Sequence, residues 1–210
     1  SALVCSNSLS LNDALYLLHE RGKAMQEAVP VGMGSMIAVL GMKIDEIREL
    51  LVNKNSNENV CEIANDNAEG QVIIRGRKDS VQSLQKTLKE KKIKSIPLKV
   101  SAPFHCSLMK PAAKIMEEKI NGIKFNDPIF KIINNVTAKP ENNSSIIKKL
   151  LIDQIYSTVK WRESLINMSD LGVTKFVEIG PGKALTGMIK RTVKNANCFS
   201  INSIADIKNL

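Results

Sequence analysis

The stretch from residue 35 to residue 100 constrains the fold more than any other, because its apolar period switches between two and 3.6 in a definite order. SMIAVLGM reads as a strand and KIDEIRELLVNK as an amphipathic helix. VCEIAN and GQVIIRG read as two strands joined by a tight Asn/Gly turn. KDSVQSLQKTLKEK reads as a second helix and KSIPLKV as a fourth strand. The order βαββαβ is that of a ferredoxin-like module. Residues 35–100 are therefore expected to form a small subdomain inserted in a larger one made of residues 1–34 and 101–210.

The flanking segments predict an α/β fold around a largely parallel sheet, since strands alternate with helices. Ser10-Leu11-Asn12-Asp13 is a capping-box start. The helix after it carries Leu11, Ala14, Leu15, Leu18 and Met25 on one expected core stripe. Arg21 falls on that stripe. An arginine on an apolar face either meets an anion or extends its head to solvent. His19 lies on the polar side of the helix and reads as surface. Pro111 suits a helix start, with Ala112, Ile115, Met116 and Ile120 as the buried stripe beyond it. IFKIINNVTA predicts a strand, and SIIKKLLIDQIY and WRESLINMSDL predict helices, the second stopped by Gly172. KFVEIGPGKALTGMIKRTV reads as strand, glycine turn and helix, and CFSINS as a last strand.

Composition removes several function classes. With 43% hydrophobic and 24% charged residues the balance is that of an ordinary globular protein. No apolar run reaches the length of a membrane span, so no membrane partner is expected. The formal net charge of +9 admits nucleic acid, but aromatic residues make up only 4% and no stacking motif accompanies the charge, so none is expected. Cys5, Cys61, Cys106 and Cys198 are far apart and form no ligand cluster, which argues against a metal site and for free thiols in a reducing compartment. NKNSNEN and PENNSS look like loop drift in an AT-rich genome.

Three local patterns bear on chemistry. GPGK at 180–183 lacks the spacing of a phosphate loop, so its glycines read as a tight turn and close strand–helix packing, with a helix N-terminus that could still attract an anion. SxxK occurs at Ser145–Lys148 and at Ser157–Lys160 without the companion motifs of a serine–lysine enzyme. VSAPFHCSLMKPAA places His105, one of two histidines in the chain, where a strand gives way to a helix. Neighbouring residues of an extended segment point apart, which argues against a proton shared between His105 and Cys106. His105 is either a buried structural histidine or a base for a hydroxyl nucleophile, and no GxSxG elbow supplies that hydroxyl.

Several segments together resemble the malonyl-CoA:acyl-carrier-protein transacylases of type II fatty acid synthesis. SALVCSNSLSLNDALYLLHERGKAMQEAVPVGMGSM looks like the segment that follows that family's nucleophile motif, IANDNAEGQVIIRG resembles its Asn-rich hairpin, and VSAPFHCSLMKPAA resembles its catalytic histidine segment. QIYSTVKW and VEIGPGKALTGMIKR match its C-terminal motifs. The resemblance implies a hydrolase-like larger subdomain, a malonyl-serine intermediate and no cofactor beyond the coenzyme A thioester that is substrate. It implies His105 as the base and Gln154 as the residue whose main-chain carbonyl orients it. Arg21 is implied to bind the malonyl carboxylate and Phe104 to crowd out branched acyl groups, although Phe104 is equally readable as core. Asn65 and Asn67 are implied to face the cleft, against a plain reading as turn residues. Lys94 and Arg191 are implied to receive the acyl carrier protein, the expected partner of a monomer. The family's serine would lie just upstream of Ser1, in a missing N-terminal third. Rivals are an acyltransferase domain of a larger synthase and a non-catalytic carrier-binding homologue. A plastid-type organelle of an AT-rich parasite (an apicoplast) or a bacterial-type cytoplasm fits the composition.

Overall fold

The computed structural model of the chain describes residues 1–30, 32–52, 59–98 and 102–209. Residues 53–54 of the second expected segment and 99–100 of the fourth expected strand lie outside the described residues. Strands β1 (Gly34–Leu40), β2 (Cys61–Ala68), β3 (Gln71–Arg77) and β4 (Lys94–Pro97) form one antiparallel sheet in the order β2-β3-β1-β4. Helices α1 (Ala2–Cys5) and α2 (Leu11–Glu27) precede this sheet, and α3 (Ile44–Val52) and α4 (Lys78–Glu90) belong to it. One face of the sheet is closed by α3 and α4: Ile37, Val39, Val72 and Ile74 pack with Ile47, Leu51, Val81, Leu84 and Leu88. Alternation sends Met36, Ala38, Ala64 and Ile73 to the opposite face. Arg75 and Glu62 pair directly across β3 and β2, and Arg75 stands two residues from Ile73 on that same opposite face. Gly76 is required inside β3: its φ is 155°, and a Cβ there would strike the Val60 carbonyl.

The second core gathers α2 against α5 (Lys110–Asn121) and α6 (Ser144–Asp153), through Leu17, Met25, Met109, Met116, Ile147 and Ile155. Ser10 caps α2 as expected, its Oγ accepting from the Asp13 amide at 3.1 Å. The buried face of α2 differs from the expected stripe. Leu17, Ala24 and Met25 are buried, while Leu11, Leu15 and Leu18 are exposed. The helix is apolar on two faces, and only one of them meets α5. In α5 the exposed Ile115 likewise yields its core place to Ala113.

The remaining strands and α-helices are β5 (Ile132–Ile133), β6 (Pro140–Glu141), α7 (Trp161–Asp170), β7 (Lys175–Ile179), α8 (Ala184–Thr192) and β8 (Asn197–Ile201). The strand expected over IFKIINNVTA shrinks to β5, paired with β6. Asn134 ends it, because its Oδ1 accepts from the Val136 and Thr137 amides and folds the chain into a turn. The protein is α/β, and among the described residues its parallel pairing is confined to β7–β8 and a single bridge between Asn65 and Val159. Gly172, with φ 87°, stops α7 where expected. The glycine turn after β7 uses left-handed Gly180 and Gly182, and the N-terminus of α8 is met by the chain's own Glu178 carboxylate, which accepts from the Leu185 and Thr186 amides. That carboxylate takes the place of the external anion the sequence allowed.

Candidate active site

His105 is held on a short loop between the two cores. Pro103 presses its ring against Gly34, so closely that a Cβ at Gly34 would overlap it. Cys106 is fully buried and donates its thiol hydrogen to the Pro103 carbonyl at 3.2 Å. Ser107 then starts a 3-10 turn that leads into α5. Between these anchors His105 takes a left-handed backbone, φ 66°, a conformation that histidine tolerates better than most residues but that the surroundings must enforce. The clamp comes from β2: Glu62 accepts from the Ser107 amide at 3.0 Å and from its hydroxyl at 2.7 Å.

The imidazole is oriented by the end of α6. That helix ends at Asp153, three residues short of the expected Tyr156, with Gln154 as its C-cap, and a helix end leaves its last carbonyls without helical partners. The Gln154 carbonyl takes its hydrogen bond from His105 Nδ1, at 2.9 Å. A carbonyl only accepts, so Nδ1 carries the proton and Nε2 keeps a free lone pair. Burial pushes the His105 pKa down to about 4, the Gln154 carbonyl works against that, and the guanidinium charges of Arg75 and Arg21 push it further down. At neutral pH the ring is therefore an uncharged base. The Cys106 thiol is pushed up by burial, which removes it as a nucleophile.

Arg21 and Gln154 line one cavity of about 260 Å³, together with Ser1, Leu3, Leu18 and Ile155. Arg21 is partly buried, burial lowers its pKa, and it has no ion pair or hydrogen bond among the described residues. A desolvated guanidinium facing an apolar cavity is a receptor for an anion. Phe104 is half-buried and packs on the α2–α5 core beside this site.

Asn65 and Asn67 lie in β2, which runs on to Ala68, and neither has the left-handed backbone of a turn residue. Register irregularities follow Ile63 and Asp66. At this bulge Val159 joins the sheet edge, its amide donating to Ala64 and its carbonyl accepting from Asp66. The Asp66 carboxylate is gripped by Arg162 from α7, with Nε at 3.0 and 2.9 Å from its two oxygens. Lys94 and Arg191 are both exposed. They share one end of the sheet: Leu40 pairs with Lys94 on one side and Gln71 on the other, and Gln71 accepts from Arg191 Nη2 at 2.8 Å. Glu62, Arg75 and Arg162 went unrecognised as contributors. The available signal was Arg75 itself, a charge inside the apolar run QVIIRG.

Over residues 1–209 the chain matches the acyl transferase domain. The chain belongs to the acyl transferase family. A malonyl CoA-acyl carrier protein transacylase of Haemophilus influenzae is similar to this acyl transferase chain, with 40% identity over 206 residues, 98% of this chain and 66% of that protein. Among solved structures, an acyl carrier protein S-malonyltransferase from Vibrio cholerae superposes with a TM-score of 0.95 at 39% identity, covering 99% of this chain and 68% of that one. A malonyl-transacylase in complex with its type II PKS acyl-carrier protein superposes at 0.91 with 36% identity, covering 99% and 67%. The acyl transferase chain thus spans about two thirds of the length of these relatives.

The Gly34–Pro103 contact makes a direct prediction. Gly34→Ala is expected to displace the His105 loop and to cost about 1–3 kcal/mol through overpacking, lowering the melting temperature. Gly22, inside α2 with open space at its Cβ, is the control. Alanine there is expected to stabilise by about 0.5–1 kcal/mol. Thermal unfolding of the two variants checks the contrast, and equal stability would remove the steric role of Gly34.

Proposed function

We propose that the protein carrying this chain transfers a malonyl group from malonyl-CoA to the phosphopantetheine thiol of an acyl carrier protein. The observation that carries this reading is that Gln154, whose carbonyl anchors the neutral His105 ring, lines the same cavity as Arg21, which has no hydrogen-bond or ion-pair partner among the described residues. Ser1 lines that cavity too, so a serine supplied from immediately upstream would enter it. The names of the relatives point to the same substrates and partner.

In the proposed reaction the guanidinium of Arg21 takes the malonyl carboxylate in two parallel hydrogen bonds. His105 Nε2 removes the serine proton as the hydroxyl oxygen bonds to the thioester carbon. The C–S bond then breaks, and the proton passes from Nε2 to the departing coenzyme A sulfur. In the second half Nε2 takes the proton of the carrier thiol as its sulfur attacks the serine ester, and returns it to the serine oxygen. The Gln154 carbonyl stabilises the imidazolium during both transfers. No cofactor enters this scheme. Asn65, Asn67 and Phe104 are proposed to shape the acyl side of the cleft, and Lys94 and Arg191 to receive the carrier at the sheet end. A bacterial-type cytoplasm or plastid is the proposed compartment. The test is incubation of the full-length protein with malonyl-CoA and holo carrier protein, followed by intact mass of the carrier. Malonylated carrier is expected, and an unmodified carrier would refute the proposal.

The base also predicts a pH profile. A depressed pKa means that protonation sets in only as pH falls toward about 4. The rate of malonyl transfer is therefore expected to stay level from pH 8 to below 6 and to fall only at lower pH. An acid limb centred near about 6.5, the ordinary histidine value, would show that burial does not hold the ring neutral.

A further inference from the structure

Arg75 is 1% exposed, and its Nε and Nη1 have no hydrogen-bond partner among the described residues. Its third nitrogen, Nη2, donates to the Ile63 carbonyl at 3.1 Å. A guanidinium so buried and so poorly satisfied is costly, and an apolar residue of similar volume would be at least as stable there. Its position offers a reason for its presence. Arg75 stands directly across from Glu62 in the β2–β3 register, on the sheet face turned away from α3 and α4. Glu62 clamps Ser107, two residues after His105, and Cys106 bears on the Arg75 guanidinium.

We propose that Glu62 and Arg75 are positioning residues for His105: the carboxylate holds the loop that carries the ring, and the guanidinium supplies a fixed positive charge that drives the proton off the ring toward the departing thiolate. This rests on the proposed transacylase reading, but its electrostatic half does not need a substrate. The groups that bear on the imidazole are Arg21 from α2, Arg75 from β3, the Gln154 carbonyl at the end of α6 and, through Ser107, Glu62 from β2. Two of these are cations and both oppose the imidazolium. Arg21 is committed to the substrate carboxylate when malonyl is bound, and its charge is then neutralised. Arg75 is sealed from substrate and keeps its effect throughout the cycle.

The experiment uses the two histidines as paired reporters. His19 is exposed and serves as the internal reference for imidazole titration by NMR in the full-length protein. Arg75→Met is expected to raise the His105 pKa toward the ordinary histidine value, with His19 unmoved and the melting temperature unchanged or higher. Arg75→Lys is expected to keep His105 low, because it keeps the charge. Glu62→Gln is expected to lower kcat for malonyl transfer about 10-fold or more, as loss of an orienting group does elsewhere, with KM for malonyl-CoA little changed. An unshifted His105 in Arg75→Met, or an Arg75→Lys variant indistinguishable from Arg75→Met, overturns the electrostatic role. Unchanged kcat in Glu62→Gln overturns the loop role. Loss of malonyl transfer in the parent protein would instead refute the transacylase reading and leave the titration result standing.

Discussion

Replacement of His105 by asparagine is expected to lower malonyl transfer by about 10²–10⁴-fold, the range for loss of a general acid–base group. Asparagine is the informative choice because it tolerates the left-handed backbone that position 105 occupies, so the fold is expected to survive. Thermal unfolding close to the parent would show that the loop is intact. The loss should appear in both half-reactions, since the proposed scheme uses the same nitrogen in each. Release of coenzyme A in the absence of carrier and transfer to carrier from the preformed ester should slow together. A loss below about tenfold, well short of the range for a proton-transfer group, would assign His105 a structural role.

Arg21→Ala is expected to separate two acyl groups that differ by one carboxylate. Malonyl transfer should fall by about one to two decades, matching the roughly 1–3 kcal/mol set by a buried donor left without its partner. Acetyl transfer should hold or improve, because an acetyl group leaves the parent guanidinium desolvated and unanswered. Arg21→Lys is not expected to rescue malonyl transfer, as an ammonium cannot reproduce the planar two-point grip. Steady-state kcat/KM for the two thioesters in the parent and both variants measures this. Equal loss for malonyl and acetyl would dismiss the carboxylate role.

The antiparallel four-strand sheet was legible because its strands and helices have distinct periods, although the turn between β2 and β3 is Glu69-Gly70 and the asparagines expected there lie within β2. The helix of residues 11–27 was legible as a helix but not in its orientation: Leu11, Leu15 and Leu18 form as good a stripe as Leu17, Ala24 and Met25, and the choice depends on α5, which lies about a hundred residues away in sequence. IFKIINNVTA has strand composition, yet the side-chain amide of Asn134 competes locally and wins. His105 and Arg21 stood out locally, as a histidine where a strand gives way to a helix and an arginine on an apolar stripe, and resemblance gave them roles. Gln154 came from resemblance alone, because what it offers His105 is a main-chain carbonyl at a helix end. Glu62 and Arg75 were invisible for a related reason. Their meaning lies in register: Glu62 opposite Arg75 across two strands, and Glu62 reaching Ser107 across 45 residues.

The bond from His105 Nδ1 to the Gln154 carbonyl has a kinetic corollary. It leaves the ring a single proton port, and the clamped loop prevents that port from swinging between two stations. In the proposed reaction the donor and acceptor sulfurs would therefore occupy the same few ångströms in turn. On the proposed reading, free coenzyme A and the arm of the carrier contend for one berth, and the pace of a full cycle is expected to follow how quickly the first visitor leaves.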